Sequence, residues 1–239
     1  KILTEHDNLF ELSDQYTYKN GTSIQTGTSS ANPIQRSLQS RLDDFVNVRS
    51  FGANGDGTDQ TLALQRAIDQ LYLPWSGASD ADSLKKRITL KLDAGLYKIN
   101  DSLKVPPYVN LVGDGSDKTV IEQTGAFAVI ETINGNGINA QTSSTNQSNI
   151  IRLQGMTLKS YLTNPALKLS STKDSQFIDI KLQGPWTQGS AINATQVGLL
   201  MEATSTPVTT QNNNFEKLKV VGFSYGILSN HDVANNHFE

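Results

Sequence analysis

A repeat near the end of the chain constrains the fold more than any other feature of the sequence. The segment NNNFEKLKVVGF contains Asn213 and Phe215, and NNHFE repeats them as Asn236 and Phe238, 23 residues later. A looser copy, SQFIDIKLQG, begins at Ser175. A period in the low twenties that carries short strands and Asn-rich turns is typical of a β-solenoid, in which each repeat forms one rung and neighbouring rungs bury a continuous core.

The sequence from residue 88 onward supports this interpretation. Short stretches such as ITLKLDAGLYKI and TVIEQTG are separated by Gly and Pro, and no long helical pattern returns. The last repeat stops within a rung, so we expect further rungs to follow residue 239 in the native protein. An active centre beyond residue 239 therefore stays an open alternative.

Composition excludes several classes of function. The chain has 36% apolar and 18% charged residues, a net charge of -3 and no cysteine. No run of Lys or Arg offers a surface for nucleic acid, so we expect no nucleic-acid partner. No apolar run approaches the roughly 20 residues that span a bilayer, which argues against membrane insertion. Disulfides and thiolate zinc sites are excluded, and we predict no metal site and no cofactor.

The stretch FGANGDGTDQTLALQRAIDQL at 51–71 could be a phosphate loop, a calcium loop or an architectural element. The glycine spacing matches neither G-x-x-x-x-G-K-[ST] nor G-x-G-x-x-G, and the twelve-residue calcium loop with its final Glu is absent. The residues after Asp59 place apolar side chains on one helical face, and Pro74 ends the pattern. We therefore predict a helix at about 59–72 that caps the open first rung of the solenoid.

The residues before the solenoid form two further segments. We interpret 1–33 as an N-terminal adaptor or linker. In 34–50, the apolar residues Ile34, Leu38, Leu42 and Phe45 recur at helical steps, which predicts a short helical neck. The β-helix itself is predicted over 51–239.

The stretch VNVRSFGANGDGTDQTLALQRAID resembles the N-terminal signature of the pectate-lyase-like superfamily. The matching residues are Phe51-Gly52-Ala53, Gly55-Asp56-Gly57, Gln65 and Ala67-Ile68. The loop is one residue shorter than usual before Thr58, and Gln60 stands where the family has a second Asp. The resemblance covers roughly 42–239. It implies an all-β, right-handed parallel β-helix with an N-terminal capping α-helix, preceded here by the short helical neck.

The segment NPIQRSLQSRLDDFVNV resembles the neck of bacteriophage tailspikes and tail fibres. This resemblance implies a homotrimer in the virion tail that acts outside the cell. It also implies attachment to other tail proteins through the N-terminal segment, and binding, with or without depolymerisation, of a bacterial surface polysaccharide. Two alternatives stay open: a secreted polysaccharide lyase or glycoside hydrolase of the same fold, and a purely structural tail or baseplate component.

Four residues are candidates for the site. Glu216 and Glu239 occupy the same place in the repeat, so stacked rungs would bring their carboxyl groups about 5 Å apart, the separation that retaining glycosidases use. The alternative is that both glutamates are ordinary solvent-exposed side chains at matching positions of stacked rungs. Trp186 follows Gly184-Pro185 in a loop, and Tyr225 lies in the GFSYG turn. Either aromatic ring could stack on a sugar ring, or Trp186 could instead cover an edge of the core.

Overall fold

The computed structural model describes residues 16–17, 35–36, 45–72, 88–133, 148–161, 164–188, 195–203 and 209–239. The chain forms two compact units, Lys1–Val46 and Asn47–Glu239. In the first unit, Tyr16–Thr17 (β1) pairs antiparallel with Gln35–Arg36 (β2).

Short strands make up most of the second unit. The strands from residue 45 onward are Phe45–Asn47 (β3), Asp56–Asp59 (β4), Thr89–Lys91 (β5), Gly95–Ile99 (β6), Leu103–Val105 (β7), Asn110–Val112 (β8), Thr119–Gln123 (β9), Ile130–Thr132 (β10), Ser148–Asn149 (β11), Arg152–Lys159 (β12), Leu167–Ser170 (β13), Thr172–Lys173 (β14), Gln176–Gln183 (β15), Val197–Glu202 (β16), Thr210–Gln211 (β17), Asn214–Glu216 (β18), Lys219–Val221 (β19), Tyr225–Asn230 (β20), Val233–Ala234 (β21) and His237–Phe238 (β22). Val48–Phe51 is a 3-10 helix and Thr61–Tyr72 is an α-helix, α1.

The strands of the second unit stack in parallel along an axis. The first face runs β5, β8, the start of β12, the start of β15, β18 and β22. The second face runs β4, β6, β9, the end of β12, the end of β15 and β19. The third face runs β7, β10, β13, β16 and β20, and a corner strip runs β11, β14, β17 and β21. The predicted fold class, a right-handed parallel β-helix, is confirmed.

The repeat that the sequence indicated is the register of the rungs. Phe215 pairs with Phe177 on one side and with Phe238 on the other. The Phe177 and Phe215 rings stack at 4.8 Å between centroids, and the Phe215 and Phe238 rings at 4.5 Å. These separations match the spacing of about 4.8 Å between hydrogen-bonded strands, because identical side chains at one register position must lie one rung apart.

Asparagine side chains join the rungs along the axis at the corner before the first face. Asn213 is buried, and its amide group donates to the carbonyl of Thr172 (2.9 Å) and to the side-chain oxygen of Asn236 (2.8 Å). The Asn236 amide in turn donates to the carbonyl of Thr210 (3.1 Å). The ladder satisfies backbone groups that the bend removes from the sheets, which is why polar residues occupy the interior here.

Helix α1 closes the first rung, as the sequence predicted, and begins at Thr61 rather than near Asp59. The Gln65 side chain accepts from the N–H of Lys104 (2.8 Å) and donates to its carbonyl (3.1 Å). It thus pairs both backbone groups of Lys104 in β7, the first strand of the third face. At the other end of the helix, the Tyr72 hydroxyl donates to the carbonyl of Asn110 (3.0 Å), and burial raises the pKa of Tyr72 to about 12.

The glycine-rich loop before α1 uses its polar groups internally. One Asp56 oxygen accepts from the Thr58 hydroxyl (2.6 Å), the Thr58 N–H (3.0 Å) and the Gln60 amide (3.0 Å), and the Thr58 groups hold the pKa of Asp56 below its ordinary value. Gln60 is buried and also accepts from the N–H of Asn54 (2.9 Å). A carboxylate at this position could accept from Asn54 but could not donate to Asp56, whereas the Gln60 amide does both, which explains Gln60 at a position where the family has a carboxylate.

The structure describes only parts of the predicted neck, residues 35–36 and 45–50. Gln35–Arg36 and Phe45–Asn47 are extended, and Val48–Phe51 is a 3-10 helix. Ile34, Leu38 and Leu42 lie outside the described residues. The described residues therefore do not test the neck, which stays a prediction. No helix in the described part of the chain is long and apolar enough to cross a bilayer.

Candidate functional site

Trp186 lies at the corner where the second face turns towards the third. Two glycines determine its position. Gly222 adopts a left-handed conformation (φ 75°), and a Cβ on Gly184 would lie only 2.1 Å from the Gly222 carbonyl oxygen, so only glycine allows these backbones to approach. The Gly184 N–H donates to Val221 and the Trp186 N–H donates to Gly222, which ties this corner to the next rung. The Trp186 side chain remains 42% exposed.

A groove of about 510 Å³ lies on one side of Trp186. We call it the aromatic groove; its lining residues include Lys159, Tyr161, Gln183, Trp186, Gln188 and Val221. Tyr161 is 43% exposed, so the groove has two accessible aromatic side chains. Lys159, Gln183 and Val221 occupy one register position on three successive strands, and their side chains therefore follow one another along the axis.

A smaller cavity of about 310 Å³ lies against Trp186 as well, lined also by Gln196, Phe223 and Ser224. Tyr225 follows these residues directly, and its N–H donates to the carbonyl of Gln196 (2.9 Å). Tyr225 is exposed but does not line either cavity. The structure therefore brings the two aromatic residues that the sequence singled out to the same corner, with Trp186 as the one that lines the cavities.

A fixed cation lies within the aromatic groove. The Lys159 ammonium group pairs with the buried carboxylate of Glu122 (3.0 Å) and lies 4.7 Å from the centroid of the Tyr161 ring. Hydrogen bonding to the Tyr161 side chain, and then to Glu122, raises the pKa of Lys159 despite the opposing effect of burial. The ion pair and the ring contact together favour one position of the ammonium group within the groove.

The two candidate catalytic glutamates lie on neighbouring strands of the first face. Phe215 pairs with Phe238, and the N–H of Glu239 donates to the carbonyl of Phe215 (2.8 Å), so Glu216 and Glu239 follow at equivalent positions. The Glu239 carboxylate also contacts the imidazole of His237 (2.9 Å). Neither glutamate lines the cavities at Trp186. Their catalytic role stays a prediction.

Sequence reasoning missed Lys159, Tyr161 and Gln183. Lys159 and Gln183 are paired across β12 and β15, yet nothing in the local pattern distinguishes them from other outward polar residues. The available signal was the equivalence of MTLKSY at 156–161 with IKLQGP at 180–185, which predicts that Tyr161 and the Trp186 loop leave adjacent rungs at the same end of their strands. Among the described residues, no three His, Asp or Glu side chains are placed to hold a metal ion.

The sequence of the β-helix matches the profile of a known family over residues 45–238, described as rhamnogalacturonase A/epimerase, pectate lyase-like. The chain belongs to this family. The match includes both faces that form the corner at Trp186, and it starts just before the glycine-rich loop that precedes α1.

Solved structures of phage proteins share the fold. ORF18 of Geobacillus virus E2 is 16% identical with a TM-score of 0.55, and the alignment covers 83% of this chain and 42% of that chain. The N-terminal fragment of gene product 12 of bacteriophage Phi29 is 18% identical with a TM-score of 0.56, covering 81% and 32%. Tailspike protein 3 of bacteriophage CBA120 is 12% identical with a TM-score of 0.55, covering 100% and 40%. At identities this low, the structural alignments show a common fold and nothing further.

A glucan 1,3-beta-glucosidase from Cochliobolus carbonum is 33% identical over 94 residues. The alignment covers 36% of this chain and 10% of that enzyme. The chain therefore spans about 10% of this curated relative.

Proposed function

We propose that this chain is the glycan-binding β-helix of a bacteriophage tail spike or tail fibre, and that the aromatic groove holds a bacterial surface polysaccharide. The observation that carries the proposal is Trp186, which is 42% exposed between cavities of about 510 Å³ and 310 Å³. Cavities of this size are typical of small-ligand sites. The fold shared with a bacteriophage tailspike protein supports a location in the virion tail.

The chemistry of the groove suits a sugar. A pyranose ring presents C–H groups on its faces and hydroxyl groups around its edge. Trp186 and Tyr161 offer flat apolar surfaces for the faces, while Gln183, Gln188 and Lys159 offer donors and acceptors for the hydroxyl groups. Because Lys159 is already paired with Glu122, the groove carries little uncompensated charge and does not require an acidic ligand.

The test is binding of the purified chain to a panel of capsular and O-antigen polysaccharides, measured by biolayer interferometry. We expect at least one preparation to bind and Trp186→Ala to weaken that binding at least tenfold. Leu62→Ala is the matched control, because Leu62 is a large apolar residue on α1 that is 77% exposed. Binding to none of the preparations, or equal binding by both variants, would overturn the proposal.

A depolymerase activity is a second candidate function, favoured by the equivalent positions of Glu216 and Glu239 on adjacent strands. Carboxyl groups about 5 to 5.5 Å apart can act as nucleophile and general acid of a retaining glycosidase. The measurement is the release of reducing ends from a bound polysaccharide by the chain and by Glu216→Gln and Glu239→Gln. Loss of activity in both variants supports the pair, and full activity in either one rules it out.

We further propose that three copies associate through residues 34–50 and that residues 1–33 attach the trimer to other tail proteins. Light scattering of the full chain and of a chain that starts at Asn47 tests this proposal. A trimer that becomes a monomer on truncation supports it. A full chain that is monomeric at all concentrations contradicts it.

A further inference from the structure

One corner of the β-helix has the same backbone conformation on successive rungs. The residue two positions before each of five first-face strands has a positive φ. These residues are Tyr108 (67°), Ile150 (53°), Asp174 (52°), Asn212 (56°) and Asn235 (52°). The left-handed conformation at this corner therefore belongs to the architecture and not to any one residue.

The residue types at this corner divide into two groups. Asn and Asp tolerate the left-handed region because their short polar side chains bond locally, and they occupy the later rungs. A β-branched or bulky residue there is a true outlier and costs about 1–2 kcal/mol. Ile150 is also 42% exposed, so burial does not offset this cost. Neither the backbone nor the core explains Ile150, which points to a role for its side chain at the surface.

Tyr108 and Ile150 line a cavity of about 310 Å³ together with the neighbouring Val109 and Ile151 and four polar residues: Asn110, Arg152, Asp174 and Gln176. Asn110, Arg152 and Gln176 occupy one register position on β8, β12 and β15, so they form a row along the axis. The cavity thus has an apolar edge from two corner residues and a polar floor from three neighbouring strands.

The polar groups of the cavity have unused hydrogen-bonding capacity. The Arg152 guanidinium donates to the Gln154 side chain (2.7 Å), and no ion pair joins Arg152 to a carboxylate in the part of the chain that the structure describes. The Asn110 amide donates to the Thr89 hydroxyl (2.7 Å), while its carbonyl oxygen has no partner among the described residues. One Asp174 oxygen accepts from Asn212 (3.2 Å) on the next rung.

We propose that this cavity is a second saccharide subsite, which binds one neutral hexose ring of the glycan. Tyr108 and Ile150 contact the apolar face of the ring, and Arg152, Gln176 and Asp174 bind its hydroxyl groups. The charges of Arg152 and Asp174 cancel, so the site favours a neutral ring over a uronate. The inference rests on the proposed glycan-binding function and places a further contact at the first face, apart from the aromatic groove.

The test is a titration of the ¹⁵N-labelled full chain with methyl β-D-glucopyranoside, followed by amide chemical shifts. We expect shifts at the cavity residues. Ile150→Asn should weaken this response at least tenfold, while its Tm stays equal or rises by about 2–4 °C because the strain is relieved. Arg152→Gln should weaken the response to a similar degree. The control is His231→Asn, which has the same conformation (φ 60°) at another corner and should leave the response unchanged.

The outcomes separate this inference from the proposed function. Cavity shifts that persist in Trp186→Ala support the second subsite, whether or not the aromatic groove responds. Shifts confined to the residues of the aromatic groove overturn the subsite and leave the proposed function standing. A lower Tm of Ile150→Asn with unchanged binding assigns Ile150 to packing and overturns the inference. A stronger response to sodium D-glucuronate than to the neutral glycoside overturns the assignment of a neutral ring.

Discussion

On the third face and in the aromatic groove, outward side chains at one register position follow one another from strand to strand. The two surfaces differ in which side chains they carry and in how many of these have partners within the protein. On the third face, Glu131 accepts from Lys104 on the preceding strand and pairs with Lys168 on the following strand (3.1 Å), and Lys168 pairs with Glu202 (3.0 Å). We call this set the charged ladder. Its side chains are only 15–27% exposed, and each charge has a partner within the protein.

The aromatic groove has one such pair, Lys159 with Glu122, and otherwise presents aromatic rings and amides to solvent. The charged ladder gains nothing from an external ligand, because its charges are already neutralised. A contiguous exposed apolar patch with a polar rim is typical of ligand-binding grooves. We therefore expect the charged ladder to contribute stability and, on the proposed function, the aromatic groove to contribute recognition, and the following changes test that division.

The largest expected effect is on binding. Replacing both Trp186 and Tyr161 with Ala removes both flat walls of the aromatic groove, so we expect polysaccharide affinity to fall more than hundredfold, or about 3 kcal/mol. Both side chains are over two-fifths exposed, so the free energy of unfolding should change by less than about 2 kcal/mol. Calorimetric titration and urea denaturation measure the two quantities. A large loss of stability with intact affinity would reverse the assignment.

The charged ladder should show the opposite response. Glu131→Gln leaves Lys104 and Lys168 without their shared carboxylate, so we expect the free energy of unfolding to fall by about 2 kcal/mol with unchanged polysaccharide affinity. The control is Asp117→Asn, since Asp117 is 75% exposed and forms a single pair with Lys181 (3.5 Å). That variant should lose no more than about 0.5 kcal/mol. Equal urea midpoints for the two variants would show that the charged ladder stabilises the fold no more than an exposed ion pair does.

The pH dependence of stability gives a smaller effect of defined sign. Burial alone would raise the pKa of Glu131, but the hydrogen bond and charge of Lys104 and the charge of Lys168 hold it below its ordinary value of 4.5. The stabilisation is therefore fully present above pH 4.5 and is lost as pH falls through the lower folded-state value. Urea midpoints of the parent chain and Glu131→Gln should converge on acidification below pH 4.5. A constant difference would contradict this linkage.

The smallest effect concerns the cation within the aromatic groove. Lys159→Gln removes both the contact with the Tyr161 ring and the charge that compensates Glu122, so we expect a severalfold loss of affinity and about 1 kcal/mol of stability. Lys159→Arg keeps a cation, so it should lose less than half of the binding free energy that Lys159→Gln loses. If Lys159→Gln binds as tightly as the parent chain, Lys159 serves the fold and not the ligand.

The sequence predicts the fold well because equivalent positions on successive rungs carry the same type of residue. Phe177, Phe215 and Phe238 lie at one register position, and Asn213 and Asn236 at another, so identical letters mark identical places. The capping helix follows from its apolar face and from the residues shared with the family. The left-handed corner residues are predictable only where they are Asn or Asp, since nothing local indicates a positive φ at Tyr108 or Ile150.

The site is predicted only in part, because loops of different length separate the rungs. At the corner before the first face, Ile151 and Ser175 are 24 residues apart, Ser175 and Asn213 are 38 apart, and Asn213 and Asn236 are 23 apart. A fixed period therefore cannot place every rung, although the step of 24 residues between Ile151 and Ser175 does bring Tyr161 to the end of the rung before the Trp186 loop. The neck at 34–50 stays a prediction, because Ile34, Leu38 and Leu42 lie outside the described residues.

The central claim is that a glycan contacts Trp186 directly, and Trp186 can report this itself. The chain has two tryptophans, so Trp75→Phe leaves Trp186 as the single indole fluorophore. The measurement is the tryptophan emission of this variant during titration with a polysaccharide fragment whose binding is followed in parallel by calorimetry. The account predicts a change in emission that saturates at the calorimetric stoichiometry. Calorimetric binding with no change in the Trp186 emission would contradict it.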